Sequence, residues 1–132
     1  MSGVVFEMLV DTDILIDYLR GRGEAALFIE DNFSQLHVSS ISVAELYQGV
    51  RDGAEREALR EMLEVFRILE LTKTIAVQGG LLRRQYGKSH GSGLADCLIA
   101  STAIVHEMTL FTLNLKHYPM LGSKVAPYGA NG

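Results

Sequence analysis

The stretch Leu94–Val105, LADCLIASTAIV, restricts the possible folds of this chain more than any other. Leu94, Cys97, Leu98, Ser101, Ile104 and Val105 form one stripe at helical spacing, and Ala95, Ile99, Ala100 and Ala103 occupy much of the rest. A helix apolar nearly all round is covered on more than one side, which predicts a layered domain. Asp96 is the only carboxylate in this stretch, and no basic residue accompanies it. An unpaired buried carboxylate costs roughly several kcal/mol. The helix dipole at a first-turn position returns only about 0.3–1 kcal/mol at exposed positions. Asp96 therefore calls for hydrogen-bond donors or a metal ion.

The remaining sequence alternates short apolar runs with helical segments. Strands are predicted at 6–10, 36–39, 67–71 and 109–112, with a fifth at 124–126. Helices are predicted at 14–19, 24–33, from Ser40 or Ser42 to Val50, and at 55–66, 74–86 and 94–106. Gly79 and Gly80 weaken the helix that contains them. Lys88–Gly93, KSHGSG, has the composition of a flexible loop, and Pro127–Gly132 has little to bury and is expected to fray. Strands separated by helices indicate parallel βαβ units in an α/β domain. In such sheets ligands gather beyond the carboxyl ends of the strands. That rule directs attention to Asp11, to the segment after Ser39, and to Thr112–His117.

The chain has 132 residues, enough for a single domain over 1–132, and 48% of them are hydrophobic. Twelve basic residues face sixteen acidic ones, for a net charge of −4, so nucleic-acid binding through global charge is excluded. A local basic patch or bound cations would be needed. Cys97 is the one cysteine, which rules out an internal disulfide and fits a reducing cytoplasm. No apolar run approaches the roughly 20 residues of a transmembrane helix, and the start lacks the basic region of a signal peptide.

Several acids have two readings. Asp11 either caps the first helix or serves as a ligand at a strand end. Glu45 closes the pattern Ser42-Val43-Ala44-Glu45, a capping box, so taken alone it reads as structural. Asp13 and Asp17 share a helix face. Parallel topology can bring Asp11, Glu45 and Asp96 to one edge, where they would raise each other's pKa. Hard divalent cations resolve that conflict, and oxygen-only ligation suits Mg²⁺ or Mn²⁺. Zinc is disfavoured, since no Cys/His cluster has ligand spacing.

At this level the chain resembles PIN-domain ribonucleases, in particular the VapC toxins of type II toxin–antitoxin pairs. The matching stretches are LVDTDILIDYLRG from Leu9, SSISVAELYQGV from Ser39, GLADCLIASTA from Gly93 and TLNLKHYPML from Thr112. The resemblance implies a three-layer α/β/α sandwich around a parallel sheet of four or five strands. It implies a Mg²⁺- or Mn²⁺-dependent endoribonuclease whose catalytic and metal-binding acids are Asp11, Glu45 and Asp96. A fourth acid is common in a T-x-N-x-x-D pattern. Thr112 and Asn114 keep that pattern, whereas His117 replaces its Asp. Asp13, Thr112 and Asn114 are then supporting polar residues, with Asn114 nearer the site than His117. Arg20, Lys88, Lys116 and His117 are candidate RNA contacts. A VapB-type antitoxin and a homodimer are implied as well. Two other readings remain at this point. One is a degenerate PIN domain that binds RNA or antitoxin without cleavage, which the His117 position favours. The other is a phospho-receiver domain, which needs an Asp at the end of its central strand; the third strand, Leu69-Glu70-Leu71, offers none.

Overall fold

The computed structural model describes residues 7–129. Five parallel strands form one sheet: β1 (Met8–Val10), β2 (Leu36–Ser39), β3 (Arg67–Leu69), β4 (Thr109–Phe111) and β5 (Lys124–Val125). Their order is β3-β2-β1-β4-β5, so the first strand of the chain lies at the centre of the sheet. Met8 registers with Leu36 on one side and Thr109 on the other. Phe6, part of the predicted first strand, lies outside the described residues.

Six helices accompany the sheet among the described residues: α1 (Thr12–Leu19), α2 (Gly23–Asn32), α3 (Ser40–Gly49), α4 (Ala54–Val65), α5 (Lys73–His90) and α6 (Leu94–His106). The period-2 alternation of β1 assigns its side chains to two cores. Met8 and Val10 join Ile14 and Leu15 of α1, Ile29 of α2, Leu46 of α3, and Leu59 and Met62 of α4. Leu9 points the other way, into Ile99, Ala100 and Ala103 of α6, with Leu110, Tyr118 and Leu121. All three β1 residues are buried, as a strand sandwiched between two helical layers requires. The expected three-layer α/β/α architecture is the observed one. None of the described helices is long and apolar enough to cross a membrane.

Three segments depart from the sequence reading. Helix α5 runs on through Lys88 to His90, so the first half of KSHGSG is helix. Gly91 ends it in the left-handed region, at φ 68°, where glycine carries no Cβ penalty. The short link that follows is tied down: Ser92 is buried, and its hydroxyl donates to the His117 carbonyl at 2.7 Å. The C-terminal segment is also anchored as far as it is described. The Tyr128 hydroxyl donates to Asp17 at 2.8 Å, Arg22 stacks over the Tyr128 ring at 4.9 Å, and the Gly129 carbonyl accepts from Arg22 at 3.1 Å. Composition hid this because a single aromatic supplies the anchor. Helix α6 is less enclosed than its sequence suggests: Cys97 and Ile99–Ala103 are buried, while Leu94, Ile104 and Val105 are exposed.

The two glycines of α5 do different work. A Cβ on Gly79 would stand 2.6 Å from Leu98 Cδ2 and 3.2 Å from Leu98 Cα, so this position lets α5 and α6 approach closely. A Cβ on Gly80 would meet nothing within 4 Å. Gly80→Ala should stabilise the protein by about 0.5–1 kcal/mol through helix propensity. Gly79→Ala should destabilise it by about 1–2 kcal/mol, because overpacking outweighs the same propensity gain. Urea denaturation of the two variants checks the opposite signs.

Candidate functional site

The site is built from the ends of β1 and β4 and the starts of α1, α3 and α6. Asp11 ends β1 and caps α1, its Oδ1 accepting from the Thr12 N–H at 2.7 Å. The cap reading is therefore correct, yet it uses only one oxygen. Asp11 Oδ2 accepts from the Thr112 hydroxyl and the Tyr118 hydroxyl, both at 2.8 Å. Asp13 faces the same way. Its Oδ1 accepts from the Ile14 N–H at 2.8 Å, and its Oδ2 accepts from the Leu113 N–H at 2.9 Å and lies 3.3 Å from the Thr112 hydroxyl.

Glu45 does not form the capping box. The N-cap of α3 is Ser39, whose hydroxyl oxygen accepts from Ile41 N–H at 3.0 Å, so Ser42 already lies inside the helix. Glu45 Oε1 instead accepts from the Thr12 hydroxyl at 2.6 Å, and Thr12 also contacts the Ser42 hydroxyl at 2.8 Å. Helices α1 and α3 are thus pinned together at the site.

Asp96, in the first turn of α6, finds the partners its setting demands. Its Oδ1 lies 3.3 Å from the Tyr118 hydroxyl and its Oδ2 lies 3.6 Å from His117 Nδ1. Its side chain keeps 26% of its exposure, so it is less deeply buried than the apolar helix implied.

Asp11, Asp13, Glu45, Asp96 and Asn114 line one concavity of about 190 Å³, together with Thr12 and Ile16. Among the described residues, no basic side chain lines it. Among the described residues, no three His, Cys, Asp or Glu side chains already stand in coordinating geometry. The four acids share a cavity without meeting at one point. His117 stands outside the lining, against Asp96. Arg20 lies in a neighbouring groove with Ile16, Leu19, Glu45, Leu46 and Val50. Lys88 and Lys116 are exposed and outside the cavity.

The charges are costly here. Burial, and after it the negative charge of Asp13, push the Asp11 pKa up to about 7, against the opposing hydrogen bonds from Thr112, Tyr118 and Thr12. Burial likewise raises the pKa of Asp13, opposed by its backbone donors. Repulsion between acids adds to burial at Asp11, where it comes from Asp13. Burial and then the charge of Asp11 hold the Tyr118 phenol well above its ordinary range, so it stays protonated and can donate. Thr12 and Tyr118 escaped sequence reasoning as parts of this site. Their hydroxyls carry no spacing signal, although Tyr118 sits within the TLNLKHYPML stretch.

The family model for the PIN domain matches residues 8–118. The chain belongs to the PIN-domain family. Within that family it is of the VapC type. It is 40% identical over 128 residues to Ribonuclease VapC10 of Mycobacterium tuberculosis, covering 95% of this chain and 96% of that protein. It is 38% identical over 124 residues to Ribonuclease VapC19 of the same species, covering 91% and 98%. Among solved structures, a toxin–antitoxin complex from Klebsiella pneumoniae is similar with a TM-score of 0.80 and 31% identity, covering 94% of this chain and 100% of that one. Membership in the PIN family sets the phospho-receiver reading aside. The centre of the sheet is β1 and not the third strand, and an Asp, Asp11, directly follows β1.

The raised Asp11 pKa makes the stability of the PIN domain depend on pH. Between 3.8 and about 7 the folded protein holds a proton that the unfolded chain has released. The cost of ionising Asp11 is absent below that window, grows as pH rises through it, and is complete above it. In chelator, lowering the pH from 8 to 5.5 should therefore stabilise the protein by on the order of 2 kcal/mol, several degrees in Tm. Asp11→Asn should remove most of this difference, as thermal melts of both proteins at the two pH values would record.

Proposed function

We propose that this chain is a divalent-metal-dependent endoribonuclease acting as the toxin of a toxin–antitoxin pair. The observation that carries the reading is the cavity lined by four carboxylates and Asn114, with no basic side chain in the lining among the described residues. The donor set is entirely oxygen, which fits Mg²⁺ or Mn²⁺ and not zinc. The strained charge on Asp11, which lacks a basic neighbour in the cavity, fits a cation as its missing partner. Asp11, Glu45 and Asp96 would hold the metal, with Asp13, Thr112 and Asn114 in support. Bound there, a divalent ion supplies Lewis-acid activation and neutralises phosphate charge.

The residues of the chain do the rest. Thr112 and Thr12 orient Asp11 and Glu45 through the hydroxyl contacts above. Their carboxylates are fixed before substrate arrives, which lowers the cost of organising the site. In hydrolysis a water oxygen bonds to phosphorus, the bond to the leaving RNA oxygen breaks, and that oxygen takes up a proton. Arg20, Lys88, Lys116 and His117 would contact RNA phosphates, and such contacts weaken with salt. The names of the relatives, ribonucleases, and of the Klebsiella toxin–antitoxin complex support the same reading.

For the partner, a VapB-type antitoxin, the groove beside Glu45 offers apolar Ile16, Leu19, Leu46 and Val50. A homodimer would use the exposed apolar face of Val77, Leu81, Ile104 and Val105. A cytoplasmic location fits the unpaired Cys97. One observation favours the second reading, a degenerate PIN domain that binds without cleaving: His117 stands where the resemblance places a fourth acid.

Cleavage of RNA by the purified protein should require Mg²⁺ or Mn²⁺ and stop in EDTA; metal-independent binding without cleavage would establish the degenerate reading instead. Asp96→Asn should lower turnover by more than about 100-fold, since even residues beyond the ligands cost 10–100-fold in such sites. Its melting temperature in chelator should stay close to that of the parent, because the amide keeps the size of the side chain. A variant that loses stability but keeps turnover per folded molecule would show Asp96 to be structural. His117→Ala should leave Mn²⁺ affinity nearly unchanged in calorimetry, because imidazole stands outside the cavity lining.

A further inference from the structure

Tyr118 is fully buried, with 0% exposure, although it carries a hydroxyl. Its ring packs in the core with Leu9, Ile99, Leu110 and Leu121. Its hydroxyl emerges between two acids that belong to different elements: Asp11 of the β1 end at 2.8 Å and Asp96 of α6 at 3.3 Å. A phenol has one proton to give. The shorter contact assigns it mainly to Asp11, with Asp96 as the second acceptor.

The backbone around Tyr118 is held from three sides. Its N–H donates to the Leu115 carbonyl at 3.0 Å, closing a one-turn 3₁₀ helix at Leu115–His117. Lys124 of β5 donates to the Tyr118 carbonyl at 2.6 Å, and buried Ser92, just before α6, donates to the neighbouring His117 carbonyl at 2.7 Å. The hydroxyl therefore has a fixed position relative to both β1 and α6. Counting donors on Asp11 shows what this achieves. Oδ2 accepts two hydroxyls, whereas Oδ1 accepts only the Thr12 N–H, so the capacity for a further partner lies on Oδ1.

We infer that Tyr118 is a positioning residue of the acidic site: its hydroxyl locks the Asp11 carboxylate so that Oδ1 is the oxygen offered to the cation, and holds Asp96 apart from Asp11 at a fixed spacing. This rests on the reading of the cavity as a divalent-cation site. Without the hydroxyl, Asp11 keeps the Thr12 N–H on Oδ1 and the Thr112 hydroxyl on Oδ2 but loses one of the two donors that occupy Oδ2, and the group between Asp11 and Asp96 is gone. Tyr118→Phe keeps the ring in the core and removes only that contact.

The test is calorimetric titration of Mn²⁺, at one fixed pH, into the wild-type chain, Tyr118→Phe and Asp96→Asn, with cleavage kinetics alongside. Tyr118→Phe should bind Mn²⁺ about tenfold more weakly, the scale of lost supporting contacts around metal ligands. Its kcat should fall while KM for RNA is held, and excess Mn²⁺ should restore much of the lost rate. A structural role would lower Tm and leave the affinity of the folded protein and the response to Mn²⁺ unchanged. Affinity equal to or above the wild type would overturn the inference, the latter by showing that the hydroxyl competes with the cation. If the wild type binds no Mn²⁺, the cation reading itself fails and this inference falls with it. Should Tyr118→Phe not fold, Lys124→Met, which keeps the hydroxyl but removes the contact to the Tyr118 carbonyl that fixes its position, takes its role: a several-fold loss of Mn²⁺ affinity supports the inference, and none overturns it.

Discussion

Asp11 ends the central strand, caps the first helix and forms part of the wall of the acidic cavity. These demands conflict. A central parallel strand is buried on both faces, so whatever follows it is buried too, and Asp11 is only 6% exposed. The folding chain must therefore desolvate a carboxylate at the place where the sheet is best packed. Three donors soften the cost: the Thr12 N–H, the Thr112 hydroxyl and the Tyr118 hydroxyl. They come from α1, from the end of β4 and from the turn before β5, so satisfying one side chain brings together segments about a hundred residues apart in sequence.

The same logic organises the second ring of contacts. Thr12, beside Asp11, reaches Glu45 and Ser42 on α3. Ser92, at the entry to α6, reaches the turn that carries Tyr118. Each loop at the carboxyl edge is tied to a neighbour through a hydroxyl. Hydroxyls suit this task because each can donate to one group and accept from another, with no charge added to a cavity that already holds four acids. Farther out, Tyr128 and Arg22 close on Asp17 and fasten the C-terminal segment to the end of α1. The acidic site thus sits in a frame held on every described side, which fits the need to keep like charges near one another.

What the sequence reveals of this arrangement depends on the kind of signal. The strand and helix succession is legible because apolar runs and helical stripes repeat along the chain, and the helix at Leu94–His106 matches its predicted bounds. Asp11 and Asp96 stand out because each interrupts an apolar stretch. Glu45 was ambiguous, since S-x-x-E is a capping pattern as well as part of the family motif. Only the true cap, Ser39, three residues upstream, resolves it. The Tyr118 hydroxyl could not be read, because an aromatic after a 3₁₀ turn has the same pattern whether it fills a core or touches a carboxylate. Lys88–His90 misled for the opposite reason. Ser and His are weak helix formers, yet the helix continues through Lys88, Ser89 and His90 and stops only at the left-handed Gly91.

The replacement of an acid by His117 becomes intelligible in terms of charge. His117 Nδ1 lies 3.6 Å from Asp96 Oδ2, so an acid there would press a further negative charge against Asp96. The cavity already has four carboxylates, because Asp13 turns inward beside Asp11 and is held by the Leu113 and Ile14 N–H groups. The carboxylates that line the cavity therefore lie toward the end of β1, with none of them in the β4–β5 turn among the described residues. The electrostatic cost is heavy on Asp11, which has three donors around it. A chain of net charge −4 gains from this distribution. The negative charge collects along one cavity beyond the end of β1, and the surface beside Asp96 is left to His117, a group that does not repel a phosphate backbone.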